Sequence, residues 1–264
     1  DRPDSYQEFA LSNMASALGK QDDYALFRKR SSNYKNIWNA DLGWMWVKDA
    51  NGKWREPANI LEYGKGWVEG NAAQYTWFVP HDVQGLINLM GGREAFTAKL
   101  NESFTHAEKH DFVSGKSHDV ETTKLNREVY LNFGNQPSIE TAFLFNYSGS
   151  PWLTQYWGRR VIDKVYSGLS PDFGYSGDED QGLMGSQAVL LKMGLYSVNG
   201  GVSQEPFYEI GSPLFDRITI ALDKRYYPGK SITIEANNNG AENYYIKNAS
   251  WNGEPLKTSW ITHE

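Results

Sequence analysis

Apolar residues recur at helical spacing along the chain up to about residue 200, and at strand spacing beyond it. Tyr6, Ala10, Met14 and Ala17 predict a first helix, and Gly19 follows where that helix would end. The same periodicity predicts further helices, over residues 22–38, 81–90, 95–104, 138–147, 151–166 and 181–193. The first part of the chain is therefore expected to be helical.

Beyond Gly200 and Gly201 the pattern changes to alternation of apolar and polar residues, rich in β-branched side chains. Four such segments, bounded by Gly, Asn and Pro turns, predict strands over residues 207–210, 217–222, 231–236 and 244–247. We therefore expect an α+β fold, with a helical region over residues 1–200 and an antiparallel, sandwich-type β segment over residues 201–264. A sheet this small has exposed edges, so we expect it to complete a sandwich or to pack on the helices.

Bulk composition narrows the possible classes of protein. A chain of 264 residues can bury a sizeable core, and a formal net charge of −6 argues against nucleic acid as the main partner. The absence of cysteine excludes disulfides, zinc–thiolate sites and cysteine nucleophiles. Because the sequence begins directly with a helical pattern and has no signal-like start, we expect it to be part of a longer protein.

The aromatic content is high, with 10 Trp, 16 Tyr and 12 Phe. Aromatic faces pack against the C–H faces of sugar rings, so this composition is compatible with a carbohydrate site. A large aromatic core explains it equally well. Composition leaves both explanations open.

One candidate acidic residue is Glu69, which follows Trp67 on a predicted loop before a helix. A carboxyl group against an indole face is partly desolvated, and desolvation raises its pKa, which suits a general acid. The alternative is an ordinary glutamate on a surface loop.

A second candidate is the acidic run Asp178, Glu179 and Asp180, which lies between Gly177 and Gly182. Carboxylates at the start of a helix often serve only as caps. Alternatively, two of them can converge on one water molecule, provided that a cation, a proton or hydrogen-bond donors offset their repulsion. An acid and a base together meet the requirement of glycosidic bond hydrolysis, and their separation decides between inversion and retention.

Two amide side chains, Asn135 and Gln136, precede another predicted helix. Amide oxygens are suitable ligands for calcium, although an ordinary helix cap is the alternative.

Four segments, taken together and in order, resemble the α-mannosidases of glycoside hydrolase family 92. They are residues 69–82 (EGNAAQYTWFVPHD), 177–186 (GDEDQGLMGS), 208–216 (YEIGSPLFD), and the pair 252–256 (NGEPL) with 260–263 (WITH). The resemblance covers nearly the whole chain. It implies the latter half of an (α/α)6 helical toroid followed by a β segment, with the early toroid helices and a β-sandwich domain lying upstream.

The resemblance also implies an activity, that of a calcium-dependent, inverting exo-α-mannosidase acting on mannose-containing glycans. Glu69 matches the general acid, and Asp178 and Asp180 match the pair that supplies the general base, with Asp180 the stronger candidate. In the family, Ca²⁺ contacts the 2- and 3-hydroxyls of mannose. The upstream domain would be a structural partner, and a secreted, periplasmic or cell-surface location is expected.

Further site residues are expected from the same resemblance and from their aromatic or polar character. The expected substrate-binding residues are Trp67, Asn71, Glu121 and Tyr175, and the expected calcium ligands are Asn135 and Gln136.

Two segments depart from the family pattern. Residues 135–140 (NQPSIE) stand where many members have Asn-Glu-Pro-Ser-His-His, and residues 43–48 (GWMWVK) where many have Gly-Phe-Met-Arg-Pro-Arg. These departures indicate a linkage preference other than the common α-1,2 one. They also leave open a glycosidase for a different α-linked sugar, or a non-catalytic carbohydrate-binding or scaffold protein on the same fold.

Overall fold

The computed structural model describes residues 5–113, 129–170, 177 and 181–263. The α-helices within these ranges are α1 (Ser5–Ala17), α2 (Gln21–Arg30), α3 (Ala72–Tyr75), α4 (Val83–Leu89), α5 (Arg93–Glu108), α6 (Leu144–Tyr147), α7 (Pro151–Val165) and α8 (Leu183–Met193). Short 3₁₀ turns cover Asn33–Ile37, Asp111–Val113, Gln136–Ser138 and Thr141–Phe143. None of the helices in the described ranges is both long enough and apolar enough to cross a bilayer.

Most predicted helices are confirmed, namely α1, α4, α5, α7 and α8. The end of α8 follows directly from the sequence, because Gly194 takes the left-handed conformation with φ 70°. The helix predicted over residues 22–38 is too long. Helix α2 ends at Arg30, and Trp38 is already extended because it pairs with Met45 in a small hairpin.

The helix predicted over residues 138–147 is broken into two 3₁₀ turns and the short helix α6. The hydroxyl of Thr141 donates to the carbonyl of Ser138 at 2.6 Å, in place of a helical backbone bond. Pro137 in the first of these turns also limits helical continuation.

The strands within the described residues pair antiparallel, as predicted for the segment beyond residue 200. They are β1 (Trp38–Asn39), β2 (Trp44–Met45), β3 (Leu195–Tyr196), β4 (Phe207–Ile210), β5 (Arg217–Ala221), β6 (Ser231–Glu235), β7 (Ser250–Trp251), β8 (Glu254–Pro255) and β9 (Trp260–Thr262). Strand β4 lies between β3 and β9 in a three-stranded sheet, while β1–β2, β5–β6 and β7–β8 form separate pairs. Leu195 pairs with Ile210, so one sheet contains strands from both sides of the predicted boundary at residue 200. The two-part division itself stays a prediction.

The prediction of a strand over residues 244–247 is wrong, because these residues pair with no other strand in the described part of the chain. The backbone there is used in tertiary contacts instead of a ladder, because the carbonyl of Tyr244 accepts from the Ser212 hydroxyl at 2.7 Å. The amide of Ile246 likewise donates to Gln155 Oε1 at 2.9 Å. Alternation of residue types indicated an extended segment but not its bonding partner.

The core is built largely from aromatic rings. Phe104 on α5 stacks on Trp157 of α7 with a centroid separation of 5.0 Å, and it also packs against Phe133 and Phe145. The largest fully buried side chains include these aromatic residues: Trp46, Trp77, Tyr34, Phe96, Phe104, Phe112, Phe133, Phe143 and Phe145. Much of the aromatic content therefore serves packing, as the second explanation of the composition expected.

Candidate active site

Glu69 lies on an exposed loop immediately before α3, and its backbone has a left-handed conformation with φ 50°. Non-glycine residues rarely adopt this region, and where they do so the surrounding structure holds them in place. The loop is closed at its base by a hydrogen bond from the amide of Gly64 to the carbonyl of Gly70, at 2.9 Å. Glu69 thus lies next to the closing hydrogen bond of a short, constrained loop.

Trp67 does not cover Glu69 in the manner expected from sequence. Its ring is buried and packs against Tyr75, with a centroid separation of 5.4 Å, whereas the side chain of Glu69 is exposed. The prediction that the indole of Trp67 desolvates the carboxyl of Glu69 is therefore wrong. Trp67 Nε1 is buried and has no hydrogen-bond partner among them.

Asn71, an expected substrate-binding residue, is fully buried and caps α3. Its Oδ1 accepts from the amide of Gln74 at 3.0 Å, and its Nδ2 donates to the carbonyl of Val129 at 3.1 Å. Both ends of the amide are thus used in hydrogen bonds, one within the turn and one to a segment 58 positions away, and a direct role for Asn71 in sugar binding stays a prediction.

Asn135 connects a second loop to the Glu69 loop. Its Nδ2 donates to the carbonyl oxygen of Glu69 at 2.7 Å, and its Oδ1 accepts from the amide of Gln136 at 2.9 Å. The loop is stabilised from within by Asn132, whose Oδ1 accepts from the amide of Gly134 at 2.9 Å. Two candidate site segments, 66 positions apart in sequence, are in direct contact.

A third segment reaches the same loop through Gly134 and Gly177. A Cβ added at Gly134 would lie 2.9 Å from Gly177 Cα, and one added at Gly177 would lie 1.9 Å from Gly134 O. The two backbones therefore touch in a way that only glycine permits. Gly177 directly precedes Asp178 in sequence. Asp178 and Asp180, together with the predicted substrate-binding residues Glu121 and Tyr175, lie outside the described residues.

The expected calcium ligands can be compared with the oxygen atoms that the described residues place near Glu69. Asn135 Oδ1 accepts from the amide of Gln136 and keeps a second lone pair, so this oxygen fits as one member of a larger oxygen shell, while Gln136 as a ligand stays a prediction. Within residues 5–113, 129–170, 177 and 181–263, no group of three or more acidic or imidazole side chains is arranged to hold a metal.

Two further residues were not among the site residues expected from the sequence, one beside Glu69 and one five positions after Asn135. Tyr75 donates its hydroxyl to the carbonyl of Val68 at 2.6 Å, directly beside Glu69. Glu140 is buried, and burial raises the pKa of its carboxyl well above the usual range. The departure from the family pattern at residues 135–140 was the signal for Glu140, and Tyr75 lies inside the segment 69–82 that resembles the family, although nothing there distinguished it from its neighbours.

The fold and this loop arrangement agree with a match to a family of carbohydrate-cleaving enzymes. The model of the glycosyl hydrolase family 92 catalytic domain matches residues 4–264. The chain belongs to glycosyl hydrolase family 92, and the resemblance noted in the sequence is confirmed.

Solved structures of the same family are similar over nearly all of the chain. An inverting mannosidase from Bacteroides thetaiotaomicron is 34% identical with a TM-score of 0.80, over 98% of this chain and 34% of that chain. An α-mannosidase from the same organism, solved in complex with mannoimidazole, is 32% identical with a TM-score of 0.80, over 98% and 33% respectively. These structures match this chain in its combination of helices with small antiparallel sheets.

A curated relative is an uncharacterized secreted glycosidase from Arthroderma benhamiae. It is 29% identical over 285 residues, which cover 98% of this chain and 33% of the relative. The chain thus spans about a third of the length of the relatives that it matches.

Proposed function

We propose that this chain is part of a calcium-dependent, inverting exo-α-mannosidase that removes α-linked mannose from glycans. The observation that supports it best is the contact of three segments distant in sequence: the Glu69 loop, the Asn135 loop and Gly177, which directly precedes Asp178. The chain belongs to family 92, and the resemblance to that family implies an acid at Glu69 and a base at Asp178 or Asp180.

In the proposed reaction, the carboxyl of Glu69 donates a proton to the oxygen of the leaving sugar. A carboxylate of the Asp178 and Asp180 pair accepts a proton from the water that attacks the opposite face of the ring. The bond to the leaving oxygen breaks as the bond to water forms, so the released mannose has the inverted anomeric configuration. The exposure of Glu69 is compatible with access of a substrate to its carboxyl.

We propose Asn135 and Gln136 as two oxygen ligands of the calcium ion, with further ligands supplied by other groups. When bound, the ion would orient the sugar hydroxyls and help to offset the charge of neighbouring carboxylates. Likewise, we propose that the remaining part of the site belongs to the rest of the longer protein, including an upstream β-sandwich domain and the first half of a helical toroid. Secretion is proposed from the similarity to a secreted relative.

The decisive experiment uses the full-length protein with α-linked mannobioses and an activated aryl α-mannoside, before and after chelation with EDTA. Glu69→Gln is expected to lower kcat on the mannobiose by about 10²- to 10⁴-fold, because the poor leaving group needs its proton. The loss on the activated substrate should be far smaller. The anomer first released, followed by NMR, is expected to be β.

Several outcomes would contradict parts of the proposal. Equal rates before and after chelation would remove the calcium requirement, and release of α-mannose first would remove inversion. Cleavage of another α-glycoside in place of mannosides would change the substrate. If wild type and Glu69→Gln both bind mannosides without turnover, the protein is a carbohydrate-binding or scaffold member of the family.

A further inference from the structure

Two side chains hold the peptide groups on either side of Glu69. Tyr75 donates its hydroxyl to the carbonyl of Val68 at 2.6 Å, and Asn135 donates its amide to the carbonyl of Glu69 at 2.7 Å. The first carbonyl belongs to the peptide group before the Cα of Glu69, and the second to the peptide group after it. Because peptide groups are planar, fixing both planes restricts the φ and ψ angles of the residue between them.

Glu69 is a residue for which such restraint matters. With φ at 50°, its backbone occupies a region that non-glycine residues seldom populate without support from their surroundings. The neighbouring Gly70 lies directly against Tyr75, since a Cβ added there would be 3.0 Å from Tyr75 Cε2. The ring of Tyr75 is itself fixed by its packing on the buried Trp67.

Asn135 is well suited to act as the second support. It is buried, its Oδ1 is bonded to the amide of Gln136 at 2.9 Å, and its own backbone amide donates to the carbonyl of Asn132 at 3.1 Å. These bonds orient the amide plane, so its Nδ2 is directed at the carbonyl of Glu69. The support thus comes from a loop 66 positions away, which makes it independent of the local sequence of the Glu69 loop.

We propose that Tyr75 and Asn135 are positioning residues that hold the carboxyl of Glu69 in the orientation needed for proton donation. This inference rests on the proposed role of Glu69 as the general acid. Neither residue is proposed to contact the reacting atoms; both act through the backbone of Glu69. A small displacement of an acid from its proton acceptor is costly for catalysis, which gives the two hydrogen bonds a measurable effect on rate.

Tyr75→Phe in the full-length protein is the cleanest test, because it removes one hydroxyl and keeps the ring that packs on Trp67. Rates are compared on an α-linked mannobiose and on 2,4-dinitrophenyl α-mannoside, whose leaving group departs without a proton. We expect kcat on the mannobiose to fall about tenfold, with less than about a twofold change on the activated substrate. KM is expected to stay nearly constant on both.

Asn135→Asp is the second variant, since it removes the donor but keeps the oxygen that accepts from Gln136. Carboxylate is also a good calcium ligand, so loss of a metal ligand would not explain a drop in rate. Because Asn135 is also a proposed calcium ligand, the expected change is in the ratio of the two rates: the rate on the mannobiose should fall about tenfold further than the rate on the activated substrate. Matched controls remove the same groups elsewhere: Tyr6→Phe, whose hydroxyl donates to Asn199 O at 2.9 Å, and Asn146→Asp, whose Nδ2 donates to Ile210 O at 3.1 Å.

Glu69→Gln in the same assays separates the two proposals. If Glu69→Gln shows strong leaving-group dependence while Tyr75→Phe and Asn135→Asp do not, the positioning role is wrong and the acid role stands. If Glu69→Gln shows no such dependence, the acid role and the positioning role both fail. Equal leaving-group dependence in the Tyr6 and Asn146 controls would also overturn the positioning role, and circular dichroism checks that each variant is folded.

Discussion

Glu209 carries a buried carboxyl that joins the C-terminal strands to the helices. It lies on β4, accepts a hydrogen bond from the Tyr147 hydroxyl, and accepts from the amide of Val198 at 3.0 Å. Burial raises the pKa of this carboxyl to about 7, and the hydrogen bonds that it accepts only partly offset that effect. A residue inside a family motif therefore has a structural role that is sensitive to pH.

Glu209→Gln is expected to remove one component of the pH dependence of stability. A carboxyl with a folded-state pKa of about 7 and an unfolded value near 4.5 binds more protons in the folded state between these limits. Its contribution to stability is complete below about pH 4.5 and is lost as pH rises to about 7, by at most roughly 3 kcal/mol. Thermal midpoints of wild type and variant, measured from pH 4.5 to 8, should therefore show wild type losing stability relative to Glu209→Gln as pH rises towards 7, because the amide does not titrate. A constant difference across this range would contradict the shifted pKa.

At the scale of elements, the contact between Gly134 and Gly177 fixes how closely two loops approach. Gly177 has φ 60°, and a side chain at either position would meet the backbone of the other loop. One of these loops carries Asn135, and the other leads directly into Asp178. A pair of glycines thus sets a distance between segments that the sequence presents as unrelated turns.

Gly134→Ala is expected to lower kcat about tenfold or more, because its Cβ would displace Gly177, which directly precedes Asp178. If the carboxylates there supply the base, the loss should be similar on the mannobiose and on the activated aryl mannoside, since water attack is needed for both. The matched control is Gly240→Ala, where an added Cβ meets nothing within 4 Å. A loss of rate on the mannobiose alone, which has the poor leaving group, would indicate instead that Gly134→Ala disturbs proton donation by the acid.

On the scale of the whole molecule, Arg159 of α7 holds several parts of the C-terminal region on the helices. Its guanidinium donates to Ser212 Oγ at 3.1 Å, to Asn239 Oδ1 at 2.5 Å and to the carbonyl of Pro213. Arg159 is buried, and its guanidinium lies 5.9 Å from the ring centroid of Tyr244. One side chain of α7 therefore connects two segments of the C-terminal region, around residues 212–213 and 239–244.

Arg159→Ala is expected to destabilise the protein by about 2–3 kcal/mol, because it leaves several polar groups without partners. The neighbouring Arg160→Ala is a matched control, since Arg160 makes a partly exposed ion pair with Glu108 at 2.6 Å. Such pairs contribute roughly 1 kcal/mol or less. Hydrogen exchange and limited proteolysis over residues 212–240 measure the docking of this region. Equal effects of the two variants would contradict the anchoring role of Arg159.

The sequence by itself determined the periodic elements and the family. Helices α1, α4, α5, α7 and α8 and strands β4, β5 and β6 follow from local patterns, because side-chain periodicity and glycine stops act within a few residues. The order of four motifs identified the family without any coordinates. Glu69 also stood out in sequence, and its acid role stays a prediction.

Only the tertiary structure decided which distant groups meet. The failed strand at residues 244–247, the buried ring of Trp67 and the supports of Glu69 by Tyr75 and Asn135 all depend on neighbours far along the chain. Hydrogen bonds and packing contacts between loops leave no periodic trace in sequence, because a loop has no repeat that constrains which residue faces which partner. The sequence therefore named the candidate acid, and the fold revealed the backbone restraint around it.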